Sequence, residues 1–309
     1  MKWVKENVGY WCEDTVSGKY IGQGVCAAIL DTGIAQHPDF DGRILEFRDF
    51  TGQNKEIYDD SGHGTHVAGI LAGDGKKSGG TYAGMAPEAG ILVGKVLDKE
   101  GNGAVDTVLQ GIDWIFQMRR KYPIRIVNIS VGTQPELERR QKELLLEAVE
   151  DLWDQGLVVV VSAGNYGPKA GSVAVPGNSR KVITVGVPDT INSYKNLPPV
   201  GGRGKIKNYS GRGPTDSCVV KPDVLAPGTG IVSCNAWYKN RGEGPYTMKS
   251  GTSMATPVVS GAIACLLSKM PDMSNVEVKL KFRSSCISSG QESGWGILNV
   301  KKLLSRENT

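Results

Sequence analysis

Five short apolar runs, at residues 25–30, 91–97, 124–129, 157–161 and 182–187, recur along the chain with helical patterns between them. Runs of that length rich in Val and Ile read as strands, while apolar residues spaced by three and four mark helices. Residues 63–72 form one helical segment. Residues 106–120 form another, with Val108, Leu109, Ile112, Ile115 and Phe116 on one face. The longest, 136–155, carries Leu137, Leu144, Ala148 and Leu152 on one face and has Gly156 placed to stop it. Residues 254–270 are apolar nearly throughout, which predicts a buried helix. Ser274 followed by Glu277 reads as a capping box for a final helix. Strand–helix alternation of this kind restricts the chain to the α/β class, a mostly parallel sheet with helices on both faces. No repeat or linker divides it, so residues 1–309 are read as one domain.

Parallel sheets place their sites beyond the carboxyl ends of the strands. The residues there are informative before any motif is considered. Asp31 ends the first run, Ser130 the third, and Ser162 through Asn165 the fourth. Glycine, at 41 residues, implies tight turns and close backbone approach around such a site. Residues 188–214 and 238–244 are rich in Gly, Pro, Lys and Asn and read as surface loops.

Other function classes receive little support. The net charge is +4, without a dense basic block. Arg119-Arg120-Lys121 falls at a helix end, where cations meet the negative end of the dipole, so no nucleic-acid surface is expected. No apolar run approaches a membrane span, and the first residues lack an apolar signal core. A cytoplasmic protein is therefore expected, or a secreted one if the sequence has been trimmed. The six cysteines, Cys12, Cys26, Cys218, Cys234, Cys265 and Cys286, follow no zinc spacing and include no Cys-x-x-Cys, so reduced thiols are expected.

The chemistry rests on few residues. There are three histidines. His37 precedes Pro38 and reads as an exposed loop residue. His63 and His66 lie where a loop turns into a helix, and the positive dipole end there suits the neutral imidazole a general base requires. Ser253 lies just before the most apolar helix. Taken alone it reads as a helix N-cap, but a serine there could also use a free backbone N–H at the helix start to stabilise an oxyanion.

Three blocks taken together, Asp31-Thr32-Gly33, His63-Gly64-Thr65-His66-Val67-Ala68-Gly69 and Gly251-Thr252-Ser253-Met254-Ala255-Thr256-Pro257, resemble the signature blocks of the subtilase family of serine proteases. The order Asp, His, Ser is also that family's. The resemblance extends through Ser162-Ala163-Gly164-Asn165, Ser210-Gly211-Arg212-Gly213-Pro214 and Lys221-Pro222-Asp223, over roughly residues 10 to 300. It implies a three-layer subtilisin-like fold and an endopeptidase working through an acyl-enzyme on peptide or protein substrates. By resemblance, Asp31 orients His63, His63 takes the proton of Ser253, Ser253 attacks the peptide carbonyl, and Asn165 donates to the oxyanion. His66 matches the family's second, non-catalytic histidine.

The resemblance also implies a cleft. Ser130, Val131 and Gly132 would pair with the substrate backbone, with Gly101, Asn102 and Gly103 as the opposite edge. Ser162, Ala163 and Gly164 would wall the S1 pocket, with Ala174 and Val175 near its base. No acid matches there, so apolar or broad P1 preference is expected. Val175-Pro176 resembles the family's cis-proline turn.

No cofactor is required for this chemistry. A structural calcium ion is left open, with Asp39 at the position of a family ligand. The lysines of Gly73-Asp74-Gly75-Lys76-Lys77 are poor company for a hard dication. The chain starts 30 residues before Asp31, a pattern similar to intracellular or prodomain-less bacterial subtilisins. Two rivals remain: a catalytically inactive peptide-binding protein of the same fold, and an aspartic protease built on Asp31-Thr32-Gly33, which would need a second Asp-Thr-Gly that the chain lacks.

Overall fold

In a computed structural model, residues 1–52, 54–132, 137–189, 208–288 and 294–305 are described. Two short helices, α1 (Lys2–Asn7) and α2 (Glu13–Val16), lead into β1 (Cys26–Asp31) and β2 (Ile44–Asp49). Helix α3 (His63–Ala72), β3 (Gly90–Lys95), α4 (Val105–Met118), β4 (Ile124–Ile129), α5 (Arg139–Asp154) and β5 (Val158–Ser162) follow in alternation. Then come β6 (Ile183–Gly186), β7 (Val224–Leu225), the hairpin β8 (Ile231–Cys234) and β9 (Tyr246–Lys249), and helices α6 (Thr252–Lys269), α7 (Asn275–Ser285) and α8 (Val300–Leu304).

The seven strands β2-β3-β1-β4-β5-β6-β7 lie side by side in that order, and all six pairings are parallel. Strands β1, β5 and β6 are buried at every residue, which is why their sequences are unbroken apolar runs. Helices α3 and α6 pack on each other against one face, and α4 and α5 pair on the other. This is the three-layer arrangement expected. Helix α6 is central, and its residues from Met254 to Leu267 are buried, so it is apolar on all sides. The capping box at Ser274 and Glu277 is formed as expected, with Ser274 as N-cap of α7.

Strand β2, strand β7 and the β8–β9 hairpin were not legible in the sequence. Strand β2 is an edge strand, half-buried and carrying Glu46 and Arg48 among its apolar residues, so its pattern is diluted. Most of the loop expected at 188–214 lies outside the described residues.

The topology positions the site. From β1 the sheet grows one way through β3 and β2 and the other way through β4 to β7. The order reverses beside β1, and the carboxyl ends of β1 and β4 there flank an open crevice. Asp31 ends β1, and Ser130 directly follows β4.

Candidate active site

Asp31 is fully buried at the end of β1. Its Oδ1 accepts the Thr32 backbone N–H at 2.7 Å and bonds the Nδ1 of His63 at 2.7 Å. His63 is the first residue of α3. Glycines let the two elements meet backbone to backbone. A Cβ on Gly64 would stand 2.1 Å from the Gly33 carbonyl oxygen. Gly33 itself has φ 122°, and its Cβ would lie 2.2 Å from the Tyr58 carbonyl oxygen. No other residue type fits either place.

The start of α3 is capped from outside the helix. Asp59 Oδ1 accepts from Thr32 Oγ1 (2.8 Å) and the Gly62 N–H (2.8 Å), while its Oδ2 accepts from the N–H (2.8 Å) and Oγ1 (2.6 Å) of Thr65. Thr32 Oγ1 in turn accepts the Gly64 N–H at 2.9 Å. Thus Asp59 locks the segments bearing Asp31 and His63 together. Sequence reasoning passed over it, because it lies three residues before the N-cap Gly62 and outside the position where a capping side chain is read.

Burial by itself would lower the pKa of His63, but the charge of Asp31 and the hydrogen bond to it outweigh this, so the net shift is upward from 6.5. The nearby carboxylate outweighs the helix dipole, which by itself favours the neutral ring. His66 differs. It is fully buried, its Nε2 bonds the carbonyls of Ile231 (3.0 Å) and Thr247 (3.2 Å), and burial pulls its pKa down to about 3. It remains neutral and holds the β8–β9 hairpin. His37 corrects the sequence reading: it is 2% exposed, because its ring packs against Tyr238 and Phe40 and its Nε2 reaches the Pro245 carbonyl at 2.9 Å.

The N-cap of α6 is Gly251, so Ser253 is the second helical residue rather than a cap. Helix starts leave backbone donors unpaired. Among the described residues the Ser253 N–H has no hydrogen-bond partner. The side chain of Asn165 is oriented beside it. Its Oδ1 accepts the N–H (3.0 Å) and Oγ1–H (3.1 Å) of Thr252, which leaves the Nδ2 donors directed outward. The Ser253 hydroxyl itself donates to the Ser130 carbonyl at 2.7 Å. The hydrogen-bonded sequence expected from Asp31 through His63 to Ser253 is therefore formed in its first link only. Ser130 sits past the end of β4, and among the described residues its carbonyl is taken by the Ser253 hydroxyl.

A match to the family described as "Subtilase family" runs over residues 22–296. The chain belongs to this family. The serine protease AprX of Bacillus subtilis (strain 168) is 42% identical over 270 residues, 84% of this chain and 60% of that protein. The chain thus spans about 60% of the length of that curated relative. Subtilisin Savinase of Lederbergia lenta is 32% identical over 282 residues, 91% of this chain and 90% of that one. Among solved structures, Sphericase superposes with a TM-score of 0.73 at 29% identity, covering 90% of this chain and 92% of its own.

In this subtilase a cleft of about 480 Å³ runs beside the site. Gly101, Asn102, Gly103, Val131, Gly132 and Val175 are among its lining residues, and Ser130 is not. Ser162, Ala163, Gly164 and Ala174 are not among its lining residues. Ser162 and Ala163 are buried in and just past β5, and Ala174 is wedged where Cβ atoms on Gly132 and Gly164 would otherwise go. They support the cleft from behind. The structure adds Leu97, Val108, Leu145 and Tyr166 as lining, with Glu138 at the start of α5 as its carboxylate. Leu97 and Val108 belong to the apolar strand and helix patterns, which carry no signal that separates lining from core, and Leu145 lies beside the apolar face read for its helix. The Val175–Pro176 peptide is cis.

The surroundings of Asp39 do not suit calcium, which takes six to eight oxygen ligands. Its Oδ1 accepts the Lys77 N–H (3.0 Å) and its Oδ2 the Tyr246 hydroxyl (2.7 Å). The Arg43 guanidinium already holds the carbonyls of Asp39 and Ala72. Beside its carboxylate lie an imidazole and a thiol, those of His37 and Cys234, rather than further oxygens in a calcium-type set.

Proposed function

We propose that this subtilase is a serine endopeptidase acting through an acyl-enzyme, with apolar or broad P1 preference. The observation that carries this is the 2.7 Å contact of His63 Nδ1 with buried Asp31. With Nδ1–H donating to the carboxylate, the lone pair is left on Nε2, the atom of a 26%-exposed ring that can meet solvent and substrate.

His63 would take the Ser253 proton as the hydroxyl adds to the peptide carbonyl, then deliver it to the leaving amine. Asp31 would stabilise the imidazolium formed in between. The Ser253 N–H and Asn165 Nδ2 would receive the oxyanion. A substrate strand lying along Ser130–Gly132 would offer an N–H to the Ser130 carbonyl, freeing the serine hydroxyl for His63. Neither step draws on a metal ion.

Ala174 and Val175, expected at the base of the S1 pocket, are both buried and apolar, which supports the P1 reading. All six cysteines are unpaired, which supports a reducing, cytoplasmic setting. Among the described residues no helix is long and apolar enough to cross a membrane. The test is cleavage of chromogenic peptides by the wild type beside Ser253→Ala, with fluorophosphonate labelling of both. Labelling and cleavage by the wild type alone are expected. A wild type that binds peptide, stays unlabelled and leaves it intact would instead be the inactive peptide binder.

A further inference from the structure

We propose that His37, Asp39 and Cys234 form a binding site for a divalent ion of the zinc class. The three residues are 2%, 0% and 1% exposed, and one ligand atom from each lies within 4.8 Å of the other two. His37 Nδ1 is 3.6 Å from Asp39 Oδ1, and Cys234 Sγ is 3.7 Å from Asp39 Oδ2. Tetrahedral zinc with its usual bond lengths spaces such donors by about 3.3–3.5 Å. The two separations to the Asp39 carboxylate are within a few tenths of an ångström of this spacing, and the third, between His37 and Cys234, is held within 4.8 Å.

The imidazole is already oriented for this role. Its Nε2 bonds the Pro245 carbonyl at 2.9 Å, so that nitrogen carries the proton and Nδ1, 3.6 Å from the Asp39 carboxylate, keeps its lone pair. A backbone carbonyl behind a metal-binding histidine is the usual second partner. At present that lone pair accepts the Asp39 N–H at 3.1 Å, which the ion would displace. The Tyr246 hydroxyl lies beside the set, 2.7 Å from Asp39 Oδ2. A pocket of about 360 Å³ lined by His37, Phe40 and Tyr238 offers an entry path.

On binding, the Cys234 S–H bond breaks, the proton leaves to solvent and an S–metal bond forms. Thiolate and Asp39 carboxylate together then neutralise the dication. Nitrogen, oxygen and sulfur in one buried set select a borderline-soft ion over calcium or magnesium. The site joins the turn after β1 to the end of β8, 195 residues apart from Asp39 to Cys234. Strand β9 of that hairpin runs directly to Ser250-Gly251-Thr252-Ser253. A metal there fastens the hairpin behind the nucleophile.

The experiment adds Co²⁺ alone to chelator-treated full-length protein and records its absorption spectrum, then repeats with Zn²⁺ or Ca²⁺ followed by thermal melts. One equivalent of Co²⁺ producing a thiolate charge-transfer band with tetrahedral visible bands is expected, together with a Tm raised by Zn²⁺ and unchanged by Ca²⁺. Cys218→Ser should retain the band and Cys234→Ser lose it. His37→Gln, whose near-ultraviolet dichroism reports its fold, should bind Zn²⁺ at least tenfold more weakly. No band at one equivalent, a band that survives Cys234→Ser, or unchanged Zn²⁺ affinity in folded His37→Gln overturns the site.

Discussion

The Ser253 hydroxyl donates to the Ser130 carbonyl at 2.7 Å, so the resting nucleophile is held by the same acceptor that a substrate strand would use. On the proposed function, the residue whose N–H meets that carbonyl is the P1 residue, whose own carbonyl would lie at Ser253. Substrate pairing and nucleophile release are then one event. N-methylation of the P1 nitrogen should lower kcat/KM by roughly tenfold, the worth of one hydrogen bond of about 1.5 kcal/mol. The comparison is between matched peptides differing in that methyl group, and equal rates would contradict the coupling.

Removing the nucleophile or the oxyanion donor should separate chemistry from binding. Ser253→Ala is expected to abolish measurable turnover. Asn165→Ala should reduce kcat by about 10²–10³ with little change in KM, a magnitude borrowed from subtilisin, which supplied the measured case. Steady-state kinetics on one peptide reads both. A large rise in KM with kcat unchanged would place Asn165 in substrate binding instead.

The pH profile follows from the upward shift of His63 above 6.5. Its imidazole must be neutral to accept the serine proton, and it becomes protonated as pH falls through the raised pKa. The acid limb of kcat/KM should therefore have its midpoint above pH 6.5. Asp31→Asn removes the charge that raises it, so residual activity should have a limb shifted to lower pH. A wild-type midpoint at or below 6.5 would contradict this.

Asp59 should matter more for stability than its absence from the signature blocks suggests. Its carboxylate accepts from Thr32, Ser61, Gly62 and twice from Thr65. Asp59→Ala leaves these donors at a buried helix start and should cost about 2–4 kcal/mol. Urea unfolding measures it. Because α3 carries His63, kcat should fall as well.

Peptides with Phe or Leu at P1 should be cleaved faster than the Arg analogue. Ala174 and Val175, expected at the base of the S1 pocket, are buried and apolar. Rates across a chromogenic panel decide the matter, and faster cleavage after Arg would point to Glu138 as a specificity carboxylate.

The sequence alone determined the layer order and the residues at the strand ends. Five buried strands and four major helices were legible because burial on both faces writes itself as unbroken apolar runs, and amphipathic helices write themselves with a period near 3.6. Asp31 and Ser130 were legible as polar residues closing such runs. The signature blocks were legible because backbone contact at Gly33 and Gly64 permits only glycine. Tertiary structure decided what depends on distance between remote segments. His37 looked like a loop residue because nothing local shows that Tyr238 and Pro245, some 200 positions later, enclose it. The same folding brings Cys234 beside Asp39, although the cysteines follow no metal spacing in the chain. The rotamer of Ser253, resting on a carbonyl rather than on His63, is set by which acceptor the folded backbone leaves unpaired, and a linear pattern carries no record of that.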